Sequence, residues 1–177
     1  NIESIFLGNS QRIDELILQD NTYNFTGDSE KFRLVEVLDW DPSVASRKVH
    51  LELRDSSFNS SATRTLFENG DLRQYGTQTP MIYSTGSISW TTTIKVRNAS
   101  NLPLGNADVK IVDKNGTEVF AGKTDANGSV AAVLKQQTVT GATKVTWNNY
   151  TVTVTSSGQS KQQVITANKT QTINLQL

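Results

Sequence analysis

The chain has 177 residues, 17 basic and 17 acidic side chains, one histidine and no cysteine. Zero net charge removes the electrostatic footprint of a nucleic-acid binder or an anionic-membrane binder, and the missing thiols exclude disulfides, thiol catalysis and Cys-based zinc sites. Hydrophobic content of 36% lies below the roughly 45–50% of typical globular domains, and no apolar run reaches the roughly 18–20 residues that cross a bilayer.

Ser, Thr, Asn and Gln fill the difference, as in all-β surface proteins with many short strands and turns. The chain opens at Asn1 without an initiator Met or a signal peptide, which suggests a mature, excised or trimmed piece of something longer. Helix signals are scarce. Asn9 to Gln19 can be drawn as a short helix, but Leu16 and Leu18 alternate with Ile17 and Gln19 in a way that suits a strand equally well. A repeat decides for strand. Leu16 to Thr26 reads LILQDNTYNFT and Leu51 to Ser61 reads LELRDSSFNSS, a constant offset of 51 − 16 = 35 positions. In the second copy Val49, Leu51 and Leu53 alternate with His50, Glu52 and Arg54. Each copy then turns through polar residues to an aromatic, Tyr23 or Phe58, beside an Asn-x-Ser/Thr sequon at Asn24 or Asn59. A spaced self-echo of this kind is what stacked solenoid coils look like in sequence.

Further strand candidates are Phe32 to Leu38 and Arg64 to Glu68, separated by the DWDPSVAS loop from Asp39 to Ser46. Asn69 to Gly86 reads as a connector, with Met81 to Tyr83 a last short strand. From Ser87 the texture changes to short alternating strands carrying Trp90, Thr92, Ile94 and Val96, then Val109 and Ile111, Val119 and Ala121, Val130 and Ala132, Val145 and Trp147, Val152 and Val154, Ile173 and Leu175. Turn signals divide them, among them Asn115-Gly116 and Asn127-Gly128, dipeptides suited to type I′ hairpins with positive φ at two successive residues. Six or seven short strands in about 90 residues predict a β-sandwich.

Within this half, Pro103, Ala107-Asp108-Val109-Lys110-Ile111, Asn115-Gly116 and Thr124-Asp125-Ala126-Asn127-Gly128 reproduce a strand, Pro loop, "A-x-V-x-I/V", Asn-Gly turn and "T-D-x-x-G" order. The stretch resembles the Ig-like module related to carboxypeptidase regulatory-like and collagen-adhesin B-type domains. That resemblance covers roughly residues 90–177 and implies a non-catalytic spacer or binding fold. Coils running into such a module resemble archaeal surface proteins with right-handed parallel β-helix repeats. The expected fold is therefore all-β: a short parallel β-solenoid-like part with its connector over residues 1–86, and a C-terminal Ig-like β-sandwich over residues 87–177.

Seven sequons, at Asn24, Asn59, Asn98, Asn115, Asn127, Asn149 and Asn168, exceed the about three that chance gives at this Ser and Thr content. They suggest an N-glycosylated extracellular protein, with turn chemistry a competing explanation at Asn115 and Asn127. Candidates for chemistry are thinner. His50 lies on the polar phase of a strand with no second ligand near it. Glu36, Asp39 and Asp41, with Arg33, are the residues an acidic-polysaccharide-cleaving enzyme fragment would use, against the simpler reading of a solvated loop. Asp113-x-Asn115 and Asp125-x-Asn127 resemble calcium loops only superficially, and Asx-turns explain them. Some collagen-adhesin B-type domains cross-link an inward Lys to an Asn on the last strand. Lys95 and Asn174 occupy roughly such strands, but alternation points both outward. Trp40 is a candidate sugar-stacking platform, while Trp90 and Trp147 suit the core.

These signals point to a structural or adhesive module with no catalytic residues, metal or cofactor, partnered by itself or by surface polysaccharide. A filament or lattice built by adding Thr170 to Leu177 or Ile2 to Leu7 to a neighbour's sheet edge is the alternative within the same class. Two coils fall short of the three or so a solenoid needs, so further coils or another subunit are expected at the open end.

Overall fold

The computed structural model describes residues 5–7, 15–23, 35–37, 50–58, 85–140 and 143–177. All regular structure among them is β. They divide into one unit of residues 1–88 and 138–145 and a second of residues 89–137 and 146–177.

In the first unit, β1 (Ile5–Leu7), β2 (Glu15–Gln19), β3 (Thr22–Tyr23), β4 (Val35–Val37), β5 (His50–Arg54) and β6 (Ser57–Phe58) are short. They form three parallel pairs. β1 pairs with β4, Ile5 opposite Val35. β2 pairs with β5, Leu16 opposite Leu51 and Leu18 opposite Leu53. β3 pairs with β6, Tyr23 opposite Phe58. The last two pairs carry the offset of 51 − 16 = 35 found in the sequence, so each echoed residue lies beside its own copy.

The corner between the echoed strands repeats as well. Asp20 and Asp55 both adopt positive φ, 57° and 49°, a conformation that Asp and Asn tolerate because a short polar side chain can bond locally. Asp20 N–H donates to the Arg54 carbonyl at 3.1 Å and Ser57 N–H to the Asn21 carbonyl at 2.9 Å. The buried Ser56 Oγ takes the Asn21 N–H at 3.2 Å and donates to the Arg54 carbonyl at 2.9 Å. Thr22 and Ser57 hydroxyls meet at 3.2 Å, and the Tyr23 and Phe58 rings stack with centroids 5.7 Å apart. Like residues stacked on like residues satisfy the corner's backbone polar groups without a helix or hairpin.

The second unit is β-sandwich-like. β7 (Thr85–Arg97) is followed by β8 (Asp108–Val112), β9 (Glu118–Lys123), β10 (Ser129–Thr140), β11 (Thr143–Thr146), β12 (Tyr150–Ser156), β13 (Gln159–Ile165) and β14 (Gln171–Gln176). An antiparallel sheet runs in the order β13-β12-β8-β9. A mixed sheet holds β10, β7 and β14, with β14 parallel to β7. β7, β10 and β11 each have residues in both units. Ile94, Val96, Ala132, Leu134 and Leu175 of one sheet and Val109, Ile111, Tyr150, Val152, Val154 and Ile165 of the other are buried. Each such aliphatic side chain removed from water contributes about 1.5–3 kcal/mol.

Several local expectations are corrected. Val119 and Ala121 are exposed, and Phe120 and Gly122 take the more covered positions opposite Ile111 and Val109. The register sets this phase, since Ala121 pairs with exposed Lys110, and a bulge at Ile111/Val112 leaves Val119 as an extra residue in β9. The Asn-Gly turns are not type I′. Only Gly116 (φ 80°) and Gly128 (φ 70°) are left-handed there, whereas Ser157 (49°) and Gly158 (78°) form the successive positive-φ pair, in the β12–β13 hairpin. At both Asn-Gly turns an Asp carboxylate caps the turn from within, favouring a type I turn closed by a left-handed glycine. Val145 is 40% exposed and β11 is exposed along its length, so this strand adds an edge rather than core. Trp147 is only half-buried, unlike Trp90. Glu52, on the polar phase of β5, is buried at 6% exposure and paired with Arg54 at 2.9 Å.

Candidate functional site

The T-D-x-x-G segment is a clamp. Thr124 is buried, its Oγ1 accepting the Ala107 N–H at 3.0 Å and donating to the Leu104 carbonyl at 2.7 Å. Asp125 Oδ1 accepts the N–H groups of Asn127 at 2.9 Å and Ser129 at 2.8 Å. Gly128 then presents its carbonyl to the Val96 N–H at 2.7 Å, while Leu104 N–H bonds the Val96 carbonyl at 2.9 Å. Together these residues tie the Asn98–Asn106 loop to the end of β7. Asp113 builds a twin turn before β9, its Oδ1 taking Asn115 N–H at 2.8 Å and Thr117 N–H at 3.0 Å. In both turns the carboxylate oxygen serves backbone donors, the geometry of an Asx-turn rather than of a calcium loop.

Five of the seven sequon asparagines fall on described residues. Asn115, Asn127, Asn149 and Asn168 are exposed and Asn98 is half-buried. All five sit in loops and turns rather than in the middle of a sheet face. Asn98 Oδ1 accepts Ser100 N–H at 3.0 Å and Leu102 N–H at 3.0 Å. Asn149 Oδ1 accepts the Thr166 hydroxyl at 3.2 Å, beside Asn148, whose Oδ1 takes the Ala167 N–H at 2.9 Å. Asn24, Asn59 and Trp40 lie outside the described residues, as do Arg33, Asp39 and Asp41. Glu36 is placed on β4 opposite Phe6. The acidic constellation is therefore not assembled among the described residues.

His50 Nε2 lies 2.9 Å from Ser87 Oγ. Lys95 and Asn174 are direct register partners on β7 and β14, and both are exposed, as alternation required. Their neighbours on that face, Thr93, Arg97, Thr172 and Gln176, include no carboxylate to assist a cross-link. Tyr150 is the one strongly perturbed group among the described residues: burial, then the nearby Asp113 carboxylate, push its hydroxyl up to about 12. That hydroxyl donates to the Lys135 carbonyl at 2.5 Å. Sequence reading placed a polar turn after each echoed strand but did not single out Asp20 and Asp55 as its left-handed residues, although Asp at both copies of one repeat position is the signal that could have found them.

No family model matches the chain, and no curated protein does. Among solved structures it is similar to the Bacillus anthracis TIE protein, at 19% identity and a TM-score of 0.40 over 52% of this chain and 16% of that one. It is also similar to Klebsiella pneumoniae 5-hydroxyisourate hydrolase, at 13% identity and a TM-score of 0.36 over 49% of this chain and 88% of that one. Only a sixth of the first neighbour is spanned, and neither likeness identifies the chain.

Proposed function

We propose that the chain is a non-catalytic structural or adhesive module of an N-glycosylated cell-surface or extracellular protein. In this reading residues 1–86 are short parallel solenoid-like coils and residues 87–177 an Ig-like sandwich. The observation that carries it is the in-register parallel pairing of the two echoed segments, with matching corners at Asp20 and Asp55 and the Tyr23–Phe58 stack. Repeats that spend their side chains on one another suit a scaffold, since each coil's apolar surface is covered by the next. The open placement of Asn115, Asn127, Asn149 and Asn168 supports glycosylation, because a bulky hydrated sugar needs solvent.

Glycopeptide mapping with intact-mass analysis of material from its native source tests this. Sugar at three or more of the seven sequons on secreted or surface-bound material is the expected result. A bare polypeptide mass rejects the glycoprotein reading.

A further inference from the structure

The two Asn-Gly turns are near copies that differ in what lies beyond them. Each has its Asp carboxylate on two N–H groups. Each glycine N–H bonds the Asp carbonyl, at 3.0 Å in Gly116 and 2.9 Å in Gly128, and each glycine is left-handed. Around Gly116 a Cβ would meet nothing within 4 Å, whereas one on Gly128 would lie 2.5 Å from the Val96 carbonyl oxygen and 2.8 Å from the Leu104 nitrogen. One turn stands in open space and its twin is wedged against a neighbouring loop.

We propose that Asn115-Gly116 is a site of spontaneous covalent modification, deamidation through a succinimide, and that Asn127-Gly128 is protected from the same reaction by its packing. The Gly116 backbone nitrogen attacks Asn115 Cγ, forming the ring N–C bond. The Cγ–Nδ2 bond breaks, and the amide nitrogen takes up the proton that the Gly116 nitrogen loses and leaves as ammonia. Water then opens the ring at either carbonyl, leaving aspartate or isoaspartate. Attack requires the Asn-Gly peptide to rotate out of the turn. At Gly116 that rotation displaces only solvent and the turn's own bonds. At Gly128 it must also break the Val96 N–H bond to the Gly128 carbonyl and disturb the Leu104–Val96 bond beside it, so it waits on a larger local opening. Asn115 is also a sequon asparagine. Sugar on its Nδ2 and loss of that nitrogen compete for one amide, and the deamidated residue can no longer be glycosylated.

The test uses the full chain made in a bacterial host that adds no N-glycans, held at mildly alkaline pH, then digested in acid. Peptides are sequenced by electron-based fragmentation, which separates aspartate from isoaspartate. In the folded chain Asn115 should convert on the order of tenfold or more faster than Asn127. In concentrated urea the two rates should converge to within about threefold, because the local sequences, NGT and NGS, are nearly alike. Gly116→Ala should slow conversion at Asn115 in both conditions. Equal rates in the folded chain overturn the proposal. So does an Asn115 that converts no faster than exposed Asn168, which no glycine follows. Loss of glycosylation from native material would leave these rates untouched, so the two readings fail separately.

Discussion

Placing alanine at Gly128 and at Gly116 measures what a wedged glycine contributes, with the same turn as its own control. At Gly116, φ is 80° and a new Cβ meets nothing, so the cost is the left-handed penalty of an L-residue, about 1 kcal/mol. At Gly128 the φ of 70° carries the same penalty, and the Cβ enters between the Val96 carbonyl oxygen at 2.5 Å and the Leu104 nitrogen at 2.8 Å. These two atoms are hydrogen-bonded to each other at 2.9 Å. Both belong to the backbone, so no rotamer change relieves the clash. The loop must move away from β7, weakening that bond and the 2.7 Å bond from Val96 N–H to the Gly128 carbonyl. Two bonds lost or left unsatisfied add about 2–4 kcal/mol. Gly128→Ala should therefore cost about 3–5 kcal/mol in all, against about 1 kcal/mol for Gly116→Ala. Urea unfolding followed by the fluorescence of buried Trp90 reads both, in protein from a non-glycosylating host and with slopes compared to confirm an unchanged unfolding reaction. Two losses within about 0.5 kcal/mol of each other would refute the wedge.

Tyr150, 2% exposed, should make stability fall at high pH. Its folded pKa of about 12 stands above the unfolded 10.0, so its stabilisation is complete below pH 10 and is lost as pH rises toward 12, about 2–3 kcal/mol in all. Urea midpoints between pH 9 and 11 should drop less in Tyr150→Phe than in the parent. Asp113→Asn keeps an oxygen for the Asn115 and Thr117 N–H groups and should cost under about 1 kcal/mol, while Asp113→Ala should cost about 2 kcal/mol. The same Asn variant should lower the Tyr150 pKa, read by ultraviolet titration, since a negative charge has been removed. Alanine at Tyr23 and Phe58, singly and together, should give a coupling of about 0.5–1.5 kcal/mol in a double-mutant cycle; a coupling near zero would separate the two copies energetically.

Much of the backbone was legible because it rests on period and repetition. The alternation of Trp90, Thr92, Ile94 and Val96 placed all four on the buried face, and the echo gave the parallel register of β2 on β5 to the residue. In β9 the inward phase is set by register, with Phe120 and Gly122 opposite Ile111 and Val109, and no local property of Val119 announces it. Turn type was misread for a related reason. Asn-Gly permits two left-handed residues in succession, but Asp113 and Asp125, two positions before each Asn, hold the first in a type I turn through bonds the dipeptide does not contain. Of the candidate sites, the loop and turn placement of five sequons was readable from turn composition. The difference between Gly116 and Gly128 was not, since it depends on Val96 and Leu104, both more than 20 residues from Gly128 in sequence.

The echo also shows where repetition stops constraining side chains. Ile17 and Glu52 are register partners on β2 and β5, yet Ile17 is 41% exposed and Glu52 is 6% exposed. Hydropathy alone predicts the reverse. β5 lies between β2 and β7, while β2 ends the described order of its sheet. Leu51, Glu52 and Leu53 are buried in succession, so β5 is covered on both of its faces there. A carboxylate there must be compensated, and Arg54, two residues along the same strand and on the same face, reaches it at 2.9 Å. At the matching positions of the first copy stand Ile17 and Gln19, which carry no charge and need no such pair. The repeated backbone fixes where each residue lies, and what covers that place decides what chemistry it requires.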